Sequence, residues 1–201
     1  MRITKDQAAG NRARVVVAAA KLFRAKGFDA VGVAELMAAA GMTHGGFYNH
    51  FDSKEAIEAA ACGEVFDKSV AKLEAIATID DADERKRAFE GYCRRYVARE
   101  ARDATAPSCP MVAFAGDVSR QSERVRGAYA AGLRTYLEAF ARAASNKRGN
   151  AARLRAIRQF AEMVGALTLA RSVASADQEL SDEIIDAASL QTSAIADTRR
   201  P

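Results

Sequence analysis

At 201 residues the chain is long enough for one larger domain or two small ones and can bury a sizeable core. Its balance of 49% hydrophobic and 28% charged residues excludes a disordered chain. No apolar run reaches the ~18 residues of a membrane span, and the net charge of +4 is too small to mark the whole chain as a polycation.

Three prolines and recurrent alanine-rich stretches favour helix over sheet. Cys62, Cys93 and Cys109 are too far apart for a metal-binding spacing, and their odd number argues against a disulfide framework. The N-terminus is basic but lacks an apolar core followed by a small-residue cleavage site. The expectation is a cytoplasmic protein with reduced thiols, no metal and no cofactor. The charge is unevenly spread. Residues 1–28 carry Arg2, Lys5, Arg12, Arg14, Lys21, Arg24 and Lys26 against a single acid, Asp6.

In chain order, Met1 to Gly10 reads as a basic arm. From Asn11 the pattern turns helical, with Val15, Ala19, Leu22 and Phe23 on one face and Gly27 as the stop. A second helix places Val33, Leu36, Met37 and Ala40 on one face and ends at Gly41, which tolerates a left-handed backbone. Thr43 is positioned to cap a third, its hydroxyl accepting a bond from a free N–H. Two helices joined by a short Gly turn form a helix-turn-helix, whose second helix enters the DNA major groove. An ordinary helical hairpin satisfies the same pattern. The basic flank tips the balance toward DNA, because phosphate neutralisation supplies much of any DNA affinity.

Beyond it, Ser53 is placed to cap a long helix that continues through Phe66, Val70, Leu73 and Ala77, with a break at Asp80 and Asp81. Phe89, Cys93, Tyr96 and Val97 mark the next helix. Ala101 to Pro110 is a connector in which Pro107 and Pro110 bracket Ser108 and Cys109, followed by the short apolar run Met111–Gly116. Ser122 to Ala144 is helical, with Tyr129, Leu133, Tyr136, Leu137 and Phe140 on one side, and SNKRGN is a loop. From Phe160 to Ala174 the chain is apolar nearly all round, so this helix must be buried on most sides. Ile184, Ile185, Ala188 and Ile195 give the last helix a matching face. Burial inside one subunit and burial against a second subunit both satisfy that demand.

The run Lys26–Ile57 resembles the N-terminal signature of TetR-type transcriptional repressors. The matching residues are Gly27-Phe28, Ala40-Gly41, Gly45, Phe47-Tyr48, Phe51 and Ser53-Lys54-Glu55. The resemblance covers about a quarter of the chain. It implies an all-α protein: a three-helix helix-turn-helix DNA-binding domain at 1–52 on a larger helical ligand-binding and dimerisation domain at 53–201. It places Thr43, His44 and Gly45 at the DNA, Tyr48 and His50 at the sugar-phosphate backbone, and Lys54 at a phosphate, with Phe47 and Phe51 in the core. Many relatives carry hydroxyls where this chain has Val31 and Gly32, so that phosphate contact must be replaced or lost. Gly45-Gly46 weakens the short recognition helix by up to ~1 kcal/mol per glycine, while allowing close approach to DNA.

A narrower likeness concerns Ser-Cys-Pro-Met and the apolar run after it, which resemble a TetR subgroup that senses electrophiles through a cysteine at the position of Cys109. A small packing residue under the loop is the alternative for Cys109. Phe66, Tyr92, Tyr96, Met111, Phe114, Phe160 and Met163 are candidates to line an effector cavity, although helical spacing fits core equally well. The function expected is that of a homodimeric repressor on a near-palindromic double-stranded operator, released by a small-molecule effector or an electrophile. With no His beyond residue 50 to activate a thiol, and no phosphate loop, no catalytic residues are expected and the protein is not an enzyme.

Overall fold

A computed structural model of the protein describes residues 4–104, 109–145 and 149–194. Among these every regular element is helical: α1 (Lys5–Lys26), α2 (Val33–Ala39), a short 3₁₀ recognition helix (His44–Asn49), α3 (Lys54–Ala77), α4 (Ala82–Tyr96), α5 (Arg99–Asp103), α6 (Pro110–Val118), α7 (Glu123–Ala144), α8 (Asn150–Val173) and α9 (Gln178–Ala194). This is the all-α architecture expected. No helix among the described residues is long and apolar enough to cross a membrane. Pro107, Ser108, Ile195 and the centre of the SNKRGN segment lie outside the described residues.

The chain forms two compact units, one of residues 1–68 with 105–133 and the other of 69–104 with 134–201. The first therefore extends past Asp52 to include the beginning of α3, all of α6 and the start of α7. The physical reason is the small size of the head. Its helices leave apolar surface that Ile57, Ala61, Cys62 and Val65 of α3, Phe114 of α6 and Val125 of α7 close into one core with Val15, Ala19, Phe23, Phe28, Leu36, Met37 and Phe47. Each fully buried Phe or Leu contributes roughly 2 kcal/mol through burial.

Several local expectations are corrected. The stretch from Lys5 to Gly10 is the first part of α1 and no arm. Thr4 caps it with Gln7 in a reciprocal box, the Thr4 hydroxyl accepting from Gln7 N at 3.2 Å and the Gln7 amide oxygen from Thr4 N at 2.9 Å. Two orphan donors are satisfied in this way, which outweighs the cost of Gly10 inside the helix. The recognition helix is 3₁₀, and Thr43 does not cap it by its side chain. The N–H that the hydroxyl would have met, that of Gly46, already donates to the Thr43 carbonyl at 3.0 Å. The connector expected from Ala101 begins instead with the short helix α5.

Other expectations hold. Gly41 has φ 71°. Met42 N donates to the Met37 carbonyl (2.8 Å) and Gly41 N to that of Ala38 (3.0 Å), closing α2 in a Schellman turn. Ser53 caps α3 through Ala56 N at 3.2 Å, and Asp81 caps α4 through Glu84 N at 2.7 Å.

In the second unit Phe89, Tyr136, Phe140 and Phe160 form a continuous aromatic cluster, with Tyr96 edge-on to Phe160. Helices α8 and α9 pack along each other. Within the protomer α8 is buried along one stripe only, through Ala152, Ala156, Phe160, Met163, Leu167 and Ala170. Leu154 and Leu169 stay 52% and 58% exposed, so burial on most sides is not achieved inside one chain. Arg102 of α5 is buried. Its guanidinium donates to both Asp103 oxygens (2.7 and 3.2 Å), to Asp182, and to Ser181 Oγ (3.0 Å), which itself donates to the Ala170 carbonyl. Arg99 pairs with Asp182 and Asp186, and Arg171 donates to the Ala104 carbonyl at 2.7 Å. This network fastens α5 to α8 and α9.

Candidate functional site

The recognition helix is held by its aromatic residues. Phe47 is fully buried, stacks on Phe51 at 5.6 Å and meets the Tyr48 ring edge-on at 5.3 Å. The i, i+4 phenylalanines thus anchor the segment, as their spacing predicts, and present the residues between them. Tyr48 is 72% exposed. Thr43, His44 and Gly45 are exposed and His50 is half-buried. A short run consequently offers a hydroxyl, two imidazoles, a phenol and bare backbone, all of which can bond to phosphates or base edges.

Lys54 is differently placed. Its Nζ donates to the Phe28 carbonyl at 2.9 Å and pairs with Glu58 at 3.4 Å. Glu58 is buried, and desolvation raises its carboxyl above the usual range while Lys54 opposes that shift. The lysine therefore ties the turn after α1 to α3 and is partly neutralised. At the start of α2 the N-cap is Gly32, with no side-chain capping bond, and Val31 is fully buried. No hydroxyl stands there to meet a phosphate.

In the sequence Arg12 stands out only as part of the basic patch. The structure places its guanidinium 4.8 Å over the Phe51 ring. The available signal was its position three and four residues before the buried Val15 and Val16, at the rim of the core stripe.

Helix α6 and the start of α7 grip the head at several points. Phe114 stacks on Phe28 at 4.8 Å. Gly27, at φ 82°, lies so close to Asp117 that a Cβ would stand 2.7 Å from Oδ2. Gln121 donates to Asp29 at 3.2 Å, and Arg124 to both oxygens of Asp52 at 3.1 and 3.2 Å.

The eight body candidates divide between the units. Phe66, Cys109, Met111 and Phe114 belong to the first; Tyr92, Tyr96, Phe160 and Met163 belong to the second. Cys109 is the residue preceding α6, half-buried, with its Sγ 3.9 Å from Met111 Sδ. Its thiol is close enough to two side chains to affect their titration. Desolvation lowers Arg24 and Cys109 opposes that shift; burial pushes Tyr129 up to about 12, with Cys109 and Cys62 adding to it. Burial likewise pushes the Cys62 and Cys93 thiols up to about 12. Phe66 and Met111 are buried, and Phe66 lies edge-on to Tyr129. Met163 is buried in the second unit, where the Tyr92 and Tyr136 hydroxyls share a 2.7 Å hydrogen bond. Sequence reasoning assigned Tyr136 to a helix face and missed its polar partner, since residues 44 apart in sequence carry no shared periodicity.

Residues 15–61 match the family described as bacterial regulatory proteins, tetR family. No curated protein sequence matches the chain. Among solved structures, the chain is similar to the reduced form of E. coli NemR, with a TM-score of 0.73 and 21% identity over 89% of this chain and 95% of that one. It is also similar to a TetR family transcriptional regulator from Cytophaga hutchinsonii, with a TM-score of 0.73 and 16% identity over 96% and 98%. A third similar structure is RolR in complex with its ligand resorcinol, with a TM-score of 0.53 and 21% identity over 94% and 89%. At these identities the structural likenesses establish the fold.

Proposed function

We propose that the chain, whose residues 15–61 match the tetR family of bacterial regulatory proteins, is a homodimeric DNA-binding repressor that leaves its operator on binding a small molecule or on modification of Cys109. The observation that carries the reading is the recognition helix itself, anchored by Phe47 and Phe51 with Thr43, His44, Gly45 and Tyr48 turned outward. In this reading residues 1–52 act as the DNA-reading head and 53–201 as the ligand-binding and dimerising body. His50 contacts the backbone, and Lys54 keeps one N–H for a phosphate. The protein works by binding in the cytoplasm and does no catalysis.

Dimerisation is supported by the exposed leucines of α8 and by Leu180 of α9, 41% exposed. A two-fold interface between these helices would bury them. It would also set two recognition helices about 34–36 Å apart on successive major grooves of a near-palindromic site. Thiol control is supported by the place of Cys109, half-buried at the start of α6, the helix whose Phe114 packs on the head. NemR was solved in a form called reduced, and RolR with resorcinol. Both electrophiles and small phenols therefore belong in an effector screen. Release needs only that the modified or liganded state favour another arrangement of the heads.

The test is selection of bound duplexes from a random pool, followed by release assays on wild type and Cys109→Ser. An enriched near-palindrome bound by a dimer is the expected result, and failure to enrich any sequence sinks the proposal. Equal release of both proteins by electrophiles would remove Cys109 from the mechanism and leave small-molecule binding as the signal.

A further inference from the structure

We propose that Arg12 is a preset phosphate clamp of the DNA-reading surface, held in place by stacking on Phe51. The inference rests on the DNA-binding reading and adds to it a residue outside the helix-turn-helix segment.

Three observations lead there. First, the guanidinium of Arg12 lies 4.8 Å over the Phe51 ring, and Phe51 is buried and stacked on Phe47, the anchor of the recognition helix. The cation is thereby referenced directly to the element that reads DNA. An arginine plane on an aromatic face keeps its edge N–H groups free for an anion in the same plane, whereas a lysine ammonium has no such preferred plane.

Second, Arg12 is exposed and has no carboxylate within ion-pair distance among the described residues. Asp52, the acid next to Phe51 in the chain, accepts two bonds from Arg124. Lys26 and Lys54, by contrast, are paired with Glu35 and Glu58. An unpaired, flat, preorganised guanidinium at the edge of a reading head suits bidentate capture of a phosphate.

Third, the surface lacks contacts it would otherwise have. Val31 is buried and Gly32 has no side chain, and Lys54 spends donors on the Phe28 carbonyl and Glu58. Arg12 supplies a cation over Phe51, just past the C-terminal end of the recognition helix. Lys5 lies two turns before it on the same face of α1, so a basic stripe continues where the apolar stripe of Val15, Val16 and Ala19 ends. Phosphate contacts set register and contribute affinity without reading sequence, so Arg12 is assigned to positioning.

The experiment measures operator affinity against salt concentration for the full-length protein, using the selected duplex and a set of single base-pair variants of it. The proteins are wild type, Arg12→Ala, Arg12→Lys, and Arg87→Ala, an exposed residue of α4, as an equal charge change in the other compact unit. Each phosphate contact contributes about 0.9 to the slope of log affinity on log salt. Arg12→Ala is expected to reduce the magnitude of that slope by about 1 per head and to weaken binding roughly tenfold per head near 0.1 M salt. The loss should be equal across the base-pair variants. Arg12→Lys should recover most of the slope but bind less tightly than wild type, and Arg87→Ala should match wild type. A slope unchanged by Arg12→Ala, or changed no more than by Arg87→Ala, overturns the clamp. A loss confined to particular base pairs also overturns it, by making Arg12 a base reader. If wild type binds no selected duplex in a salt-dependent way, the parent reading falls and takes the clamp with it; that outcome is recognised before any variant is compared.

Discussion

The two compact units solve the problem of holding short helices together in opposite ways. In the first, the interior among the described residues is apolar but for Glu58, which is buried and paired with Lys54. Phenylalanines from α1, the following turn, the recognition helix, α3 and α6 are buried there, while most ionic contacts, such as Arg124 with Asp52 and Lys26 with Glu35, stay at the surface. In the second, charge is taken inside: Arg102 is buried with Ser181 and bonded to Asp103 and Asp182, and two tyrosine hydroxyls pair beside the aromatic cluster. The difference is instructive. A unit that must offer cations to a polyanion gains by drawing its stability from shape and leaving its arginines at the surface. A unit that fastens one short helix onto two long ones gains direction from hydrogen bonds, which apolar contacts lack.

The largest effect expected from this contrast lies in the first unit. A Cβ at Gly132 would stand 2.3 Å from Cδ2 of Phe66 and 3.0 Å from its Cβ, so rotation of the ring alone cannot relieve the clash. Gly132→Val should cost about 3 kcal/mol by overpacking, read as a lower thermal midpoint. A midpoint within error of wild type would show that this core yields to strain and is not defined by shape.

Next comes the buried cation of the second unit. Arg102→Ala removes donors from Ser181, Asp182 and Asp103 and should cost about 2 kcal/mol. It should also change the response to acid. Hydrogen bonds from Arg102 hold the Asp103 and Asp182 carboxyls below their usual range. As pH falls, the unfolded chain takes up these protons first, near its unperturbed value of about 3.9. Stability from the pair is thus complete above that value and lost as pH falls through the depressed folded values. Urea midpoints between pH 6 and 3 should fall for wild type and fall less for Arg102→Ala. Parallel curves for the two proteins would mean that the network does not govern the acid response.

The smallest effect on stability is expected at Cys109. Cys109→Ser should change stability by less than about 0.5 kcal/mol, yet dominate thiol chemistry. Cys62 and Cys93 are buried with thiols pushed up to about 12, while Cys109 is half-buried. At pH 8 a thiol reagent should therefore label one site in the native protein, and that site should vanish in Cys109→Ser. Rapid labelling of three thiols in the native state would erase the distinction between these cysteines.

Much of the head was legible because its signals are local. Gly41 as the end of α2, Ser53 as a cap, Asp80 and Asp81 as a break, and Phe47 and Phe51 as paired anchors each depend on neighbours within five residues. The capping box of Thr4 and Gln7 is equally local, but the basic, apolar-poor stretch up to Gly10 carries no helical stripe to announce it. The 3₁₀ form of the recognition helix was not legible, since it rests on which acceptor wins the Gly46 N–H.

By itself, then, the sequence determined the helical class, the helix-turn-helix and its aromatic anchors, because periodicity and capping act over one or two turns. Tertiary structure alone decided the employment of the charged residues. Lys54 became a strut because the Phe28 carbonyl came within 2.9 Å of it, and Arg12 came to lie on Phe51, 39 positions away in the chain. A cation's role depends on the nearest acceptor or ring in space, and no spacing along the chain encodes that distance.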